Sequence, residues 1–106
     1  MSRILIPGPA SQGLSVRLSR SLDVPCLRVE FRKFPDGENY LRVHDADSLQ
    51  GAEVVVVSSI TSNDDLVYLL QVLDVVEQSG AEDLSVIIPY LGYSRQDKVF
   101  TTGEAV

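Results

Sequence analysis

The polar segment at residues 90–98 directly follows an apolar run and holds the most varied chemistry in the sequence. It contains two tyrosines, two cations, an amide and the carboxylate of Asp97. Arg95 can donate charge-assisted hydrogen bonds of about 1.5–3 kcal/mol each to phosphate oxygens, Lys98 adds a point charge, and Gln96 can bind polar edges. This composition suits a nucleotide. It suits a solvated charged loop equally well, so position and composition alone leave both interpretations open.

A second group of functional side chains lies in a turn between two strand-like segments. The turn combines an aromatic ring, two carboxylates and a glycine: Phe34, Pro35, Asp36, Gly37 and Glu38. Pro, Asp and Gly are the ordinary residues of hairpin connections, so a plain turn is the commoner explanation. The exposed ring of Phe34 favours the functional alternative, because such a ring can stack on a ligand or pack at an interface.

Three other features receive no chemical role. Residues 7–13 could present amides to a phosphate, but they match neither G-x-x-x-x-G-K-[ST] nor G-x-G-x-x-G, and their prolines lack N–H groups, so we interpret them as a structural turn. His44 has no ligand-forming neighbours at metal-site spacing, which indicates a surface histidine and no metal site. No Ser–His or Cys–His pattern marks a nucleophile, so we assign no catalytic residue within this chain.

Strand-like segments surround these candidates. Apolar runs and period-two alternation predict strands at residues 3–6, 26–32, 39–43, 54–57 and 84–88. The second and third strands flank the turn at 34–38 and therefore form the arms of a hairpin whose loop projects outward. The four consecutive valines at 54–57 indicate a central strand covered on both faces.

Two helices alternate with the strands. The first helix is predicted at residues 11–22, with Ser11 as its N-cap. It carries one apolar stripe, formed by Leu14, Leu18 and Leu22. The second and longer helix begins at Ser62, which precedes Asp65 with the spacing of a capping box, and it ends at Gly80. Its stripe consists of Leu66, Leu69, Leu70, Leu73 and Val76.

This order of elements predicts an α/β fold with a mostly parallel sheet, flanked by helices and carrying a projecting β-hairpin. In open α/β sheets, ligands bind beyond the carboxyl ends of the strands. The loops after Ile6, Ser58 and Ile88 are therefore the expected place for a site, and the polar segment 90–98 lies in the last of them.

Composition narrows the class of protein. The chain has 106 residues, near the common size of one domain, and its net charge of −6 argues against nucleic acid as a partner. The single cysteine, Cys26, cannot form an internal disulfide, and its strand position is typical of a structural thiol. We find neither a signal peptide nor an apolar run of about 18 residues, so we expect a soluble, cytoplasmic protein without a membrane partner.

Three segments together resemble ribose-phosphate pyrophosphokinase, also called phosphoribosyl pyrophosphate synthetase. They are Phe34-Pro35-Asp36-Gly37-Glu38, Ser62-Asn63-Asp64-Asp65-Leu66 and the specific run at 86–98, which reads VIIPYLGYSRQDK. The resemblance implies transfer of the diphosphate of Mg-ATP to ribose 5-phosphate, giving phosphoribosyl pyrophosphate for nucleotide biosynthesis. It also implies a phosphoribosyltransferase-like amino-terminal domain and a homo-oligomer.

The resemblance further implies roles for individual residues. The loop with Phe34, Asp36, Gly37 and Glu38 would hold adenine across a subunit boundary. Arg95, Gln96, Asp97 and Lys98 would complete the ATP site, with Arg95 and Gln96 contacting ATP in their own subunit. Lys98 stands where many relatives have arginine, and Ser94 where many have alanine. We assign Asn63 and Asp64 to capping of the second helix.

Family members continue for about two hundred further residues, which include their metal ligands, a catalytic lysine and the ribose 5-phosphate loop. We therefore expect residues 1–106 to form one ATP-binding and oligomerisation domain, incomplete relative to the family and inactive alone, with Mg²⁺ ligands outside this chain. Two alternatives stay open: a non-catalytic module that assembles with or regulates full-length relatives, and an unrelated α/β nucleotide-binding domain.

Overall fold

A computed structural model describes residues 2–105; Met1 and Val106 lie outside the described part. The helices and strands are β1 (Arg3–Pro7), α1 (Gln12–Leu22), β2 (Val29–Lys33), β3 (Asn39–Val43), β4 (Glu53–Val57), α2 (Asn63–Gln78) and β5 (Asp83–Ile87). The strands form a parallel three-stranded sheet in the order β1-β4-β5 and a separate antiparallel hairpin, β2-β3. The predicted α/β fold with a parallel sheet and a projecting hairpin is therefore confirmed.

Strand β4 is the centre of the sheet, as its four valines predict. Val54, Val56 and Val57 are completely buried, and β4 pairs with β1 on one side and with β5 on the other. The register places Pro7, Val57 and Ile87 side by side, so the loops that follow β1, β4 and β5 leave the sheet at the same edge.

Helix α2 begins and ends as the sequence predicts. The hydroxyl of Ser62 accepts a hydrogen bond from the amide of Asp65 at 3.2 Å, and Gly80 follows the helix with a φ of +74°. The predicted apolar stripe is wrong at Leu70, which is 59% exposed. The buried face contains Tyr68 and Val72 instead, because α2 packs against β3 of the hairpin as well as against the apolar core of the sheet.

Helix α1 differs more from its prediction. It starts at Gln12 with Ser11 at the predicted N-cap position, but the Ser11 side chain makes no capping hydrogen bond and instead accepts one from the amide of Ser59 at 2.9 Å. Leu22 is 61% exposed, and Ser15 is the one fully buried side chain among the described residues of this helix. The helix packs mainly against β1, an edge strand of the sheet.

The hairpin leaves the sheet after a short contact with β1. Cys26 pairs with Leu5 as an isolated bridge, and regular pairing of β2 starts only at Val29, three residues later than predicted. The hairpin then lies along α2. The Tyr68 hydroxyl donates to the carbonyl of Arg32 at 3.1 Å, and the Gln71 amide donates to the carbonyl of Asn39 at 3.1 Å.

Candidate functional site

A cleft of about 430 Å³ lies at the edge of the sheet where β4 and β5 end. Its walls are the loop after β4 with the first turn of α2, and the loop after β5. The lining residues are Ile60, Thr61, Ser62, Asn63, Tyr90, Gly92, Tyr93, Ser94, Arg95 and Gln96. The predicted loops therefore form a concave surface at the carboxyl ends of the strands, where α/β sheets bind ligands.

The two loops are joined by backbone hydrogen bonds beyond the ends of the strands. The amide of Ile60 donates to the carbonyl of Tyr90 at 2.8 Å, and the amide of Gly92 donates to the carbonyl of Ile60 at 2.8 Å. A Cβ atom on Gly92 would lie only 2.6 Å from the Ile60 carbonyl oxygen, so the approach of the two loops depends on a glycine at this position.

Arg95 enters the cleft from a tight turn. The Ser94 hydroxyl donates to the Leu91 carbonyl at 2.6 Å, and Tyr93 has a left-handed backbone with a φ of 65°. Arg95 forms no salt bridge with any of residues 2–105, so its guanidinium is available to an anion. Gln96 lines the cleft beside it, whereas Asp97 and Lys98 are exposed and do not line it.

The opposite wall is the start of α2, held by reciprocal capping. Asp65 accepts hydrogen bonds from both the amide and the hydroxyl of Thr61, and Ser62 caps the amide of Asp65. Asn63 makes no capping hydrogen bond with residues 2–105 and instead lines the cleft, so its predicted capping role is wrong; Ser62 already occupies the cap position. Asn63 follows β4 at the edge of the sheet where ligands bind, and this position is the signal that could have identified Asn63 as a cleft residue.

The hairpin loop 34–38 is a separate structure. The Phe34 amide donates to the Glu38 carbonyl at 2.8 Å, the Gly37 amide donates to the Phe34 carbonyl at 2.9 Å, and an Asp36 oxygen accepts from the Glu38 amide at 3.0 Å. Phe34 is 46% exposed, with its ring edge-to-face against Tyr40. None of these loop residues lines the cleft, so within one chain the structure does not bring the two predicted segments together.

Other reactive groups lie outside the cleft. Cys26 is half-buried, and burial raises the pKa of its thiol, which makes the reactive thiolate scarcer near neutral pH. His44 is partly buried and 3.6 Å from Glu30. Among residues 2–105, no three His, Cys, Asp or Glu side chains come together as metal ligands. In the same part of the chain, every helix is too short or too polar to cross a bilayer.

Solved structures define the class of fold. The chain superposes on a purine phosphoribosyltransferase from Pyrococcus horikoshii with a TM-score of 0.61 at 18% identity, covering 85% of this chain and 68% of that one. A phosphoribosylpyrophosphate synthetase from Mycobacterium smegmatis superposes with a TM-score of 0.86 at 25% identity, over 99% of this chain and 35% of that one. The fold is thus that of the phosphoribosyltransferase class.

Sequence comparisons identify the family within that class. The family described as the N-terminal domain of ribose phosphate pyrophosphokinase matches residues 3–106, and the chain belongs to it. Ribose-phosphate pyrophosphokinase of Methanosarcina acetivorans is 45% identical over 96% of this chain and 35% of its own length. That of Saccharolobus solfataricus is 40% identical over 97% of this chain and 35% of its own length. The chain therefore spans about a third of the length of these relatives.

Proposed function

We propose that this chain supplies the ATP-binding part of a ribose-phosphate pyrophosphokinase, which transfers the diphosphate of ATP to ribose 5-phosphate and releases AMP. Family membership over residues 3–106 supports the reaction class, and with it roles as a transferase and kinase in nucleotide biosynthesis. The observation that carries the proposal is Arg95, which lines the cleft beside Gln96 without an ion-pair partner among residues 2–105.

The chemistry of the cleft fits a nucleotide. The Arg95 guanidinium would neutralise phosphate charge through paired N–H donors, which is the main protein contribution to phosphoryl transfer. Gln96 and Asn63 offer neutral donors and acceptors from opposite walls, and Tyr90 and Tyr93 add aromatic surface. Asp97 and Lys98 follow directly and belong to the proposed site as its outer part, where Lys98 contributes long-range charge.

The hairpin loop would bind the adenine base. The Phe34 ring can stack on it, and the carboxylates of Asp36 and Glu38 can accept hydrogen bonds from its exocyclic amine, with Gly37 closing the turn. This loop does not line the cleft of its own chain, which supports a role at the cleft of a second copy. The proposed functional form is therefore a homo-oligomer.

Mg²⁺ would accompany ATP and offset phosphate charge when bound. No three ligand-forming side chains come together within residues 2–105. In this proposal the ion binds to the phosphates of the nucleotide and to protein ligands outside this chain. Because we assign no catalytic residue to this chain, we expect it to bind ATP without turning it over. A cytoplasmic location stays a prediction.

A calorimetric titration with Mg-ATP tests the proposal. We expect saturable binding that depends on protein concentration if two copies share a site, and we expect Arg95→Ala and Asp36→Ala to weaken it. The titration should be run at protein concentrations at which sedimentation detects the oligomer. Absence of binding to the oligomer at millimolar nucleotide, or binding unchanged in the double variant, would show that the assigned residues are not an ATP site.

A second candidate function is a non-catalytic module that assembles with longer relatives. It is favoured by the exposed apolar side chains of β5, where Leu84, Val86 and Ile87 are 39%, 37% and 48% exposed. A parallel strand is normally covered on both faces, so this edge offers surface to another chain. Co-expression with a full-length relative should yield a stable complex; an exclusively monomeric chain with no relative bound would eliminate this candidate.

A further inference from the structure

The side chain of Lys33 links the mouth of the hairpin loop to the first turn of α2, which forms one wall of the cleft. Lys33 is the last residue of β2 and pairs in the ladder with Asn39, the first residue of β3. Its ammonium donates to the Asn39 side-chain oxygen at 2.7 Å and to the Asp64 carboxylate at 3.0 Å. It therefore ties both strands of the hairpin to α2 at the point where the loop begins.

Asp64 connects this contact to the cleft. It is the second residue of α2 and directly follows Asn63, which lines the cleft. Two further hairpin contacts lie deeper along the same helix, from Tyr68 and Gln71 to backbone carbonyls of β2 and β3. Asp64, Tyr68 and Gln71 recur at four- and three-residue intervals and so share one face of α2. Gln71 contacts Asn39 at the end of the loop, whereas the Lys33–Asp64 pair joins the start of the loop to the first turn of α2.

The pair is poorly suited to a purely structural role. The side chains of Lys33 and Asp64 are 45% and 54% exposed, and ion pairs at such exposure contribute little to the free energy of unfolding. Without the pair, the contacts of Tyr68 and Gln71 would still hold Arg32 of β2 and Asn39 of β3 on α2. The start of the loop, at Lys33, would lose its link to the first turn of α2 and so to the cleft wall.

We propose that Lys33 and Asp64 are positioning residues that hold the loop 34–38 at a fixed place relative to the first turn of α2. The inference rests on the proposed function in one respect, namely that loop 34–38 contacts a nucleotide.

A fluorescent reporter tests the position of the loop without any ligand. The chain contains no tryptophan, so Phe34→Trp places a unique fluorophore in the loop. Lys33→Met, Asp64→Asn and their combination are made in this background and in the parent chain. A matched control is the partly exposed ion pair Arg3–Glu53, 3.4 Å apart at the first residues of β1 and β4, altered to Arg3→Met and Glu53→Gln.

We expect each change at Lys33 or Asp64 to lower the fluorescence anisotropy of the reporter and to weaken Mg-ATP binding about three- to tenfold. The double variant should lose no more Mg-ATP affinity than the single variant with the larger loss, because the same interaction is removed in all three variants. Thermal unfolding midpoints should shift no more than in the control variants, whose anisotropy and affinity should match the parent.

Two results would overturn the inference: an anisotropy equal to that of the control variants, or losses of affinity that add in the double variant. Should the parent chain fail to bind Mg-ATP, the proposed function fails. The anisotropy measurement uses no nucleotide and still decides whether the pair holds the loop.

Discussion

The two parts of the proposed site, the cleft and the hairpin loop, are built on different kinds of support. The cleft walls continue β4 and β5 directly, and Val56, Val57 and Ser58 beneath them are completely buried. The hairpin loop stands on a two-stranded ribbon, held at its mouth by a half-exposed ion pair. The position of the cleft is thus tied to the folding of the core, whereas the position of the loop depends on contacts that hardly affect stability.

The largest expected effect on stability comes from adding a side chain at Gly8, where the edge of the sheet that carries the cleft is closely packed. Gly8→Ala would place a Cβ 2.7 Å from the Ser58 Cβ and 3.0 Å from its Cα, so we expect a loss of about 3 kcal/mol in the free energy of unfolding. Urea denaturation measures it. Gly13→Ala is the control, since its Cβ meets nothing closer than 3.7 Å. Equal stability of the two variants would contradict the close packing at Gly8.

Arg95→Ala separates binding from folding in the cleft. We expect Mg-ATP affinity to fall by about 1.5–3 kcal/mol, roughly ten- to a hundredfold, because charge-assisted hydrogen bonds to phosphate are lost. Stability should stay within about 0.5 kcal/mol, since Arg95 is exposed. Arg20→Ala, an exposed arginine on α1, is the charge-matched control and should bind like the parent. A comparable loss of Mg-ATP affinity in Arg20→Ala would show that the effect comes from the change in net charge alone.

Ser62→Ala tests how far the cleft wall depends on helix capping. Loss of the hydroxyl that accepts from the Asp65 amide should lower the free energy of unfolding by about 1 kcal/mol. The measurement is again urea denaturation, with Ser21→Ala in α1 as a control of the same chemistry at an exposed helical position. If Ser62→Ala and Ser21→Ala change the free energy of unfolding equally, the cap does not stabilise the wall of the cleft.

Tyr68→Phe should give the smallest change in the free energy of unfolding, and it tests how firmly the hairpin is held on α2. It removes the hydrogen bond to the Arg32 carbonyl and retains the edge-to-face contact with Phe31, so we expect a loss of about 0.5 kcal/mol. Tyr40→Phe on β3 is the matched control. A loss of stability larger than that of Ser62→Ala would mean that the hairpin is held as firmly as the cleft wall.

Much of the fold follows from local sequence patterns. Four consecutive valines predict the central strand, and the spacing of Ser62 and Asp65 predicts the start of α2, because strand burial and helix capping depend on neighbouring residues. The buried faces of the helices were harder to predict. Leu22 and Leu70 continue apolar stripes but are exposed, since what covers a helix depends on elements distant in sequence.

The candidate site shows the same division. The residue types at 90–98 can bind a nucleotide but suit a solvated charged loop equally well, and only the tertiary structure places Arg95 in a cleft with Asn63 and leaves the hairpin loop outside that cleft. Strands β4 and β5 are both apolar runs in the sequence, yet one is buried and the other exposed. Hydrophobic pattern determines which segments form strands, whereas burial and proximity depend on which strands become neighbours, and that is decided only when the sheet assembles.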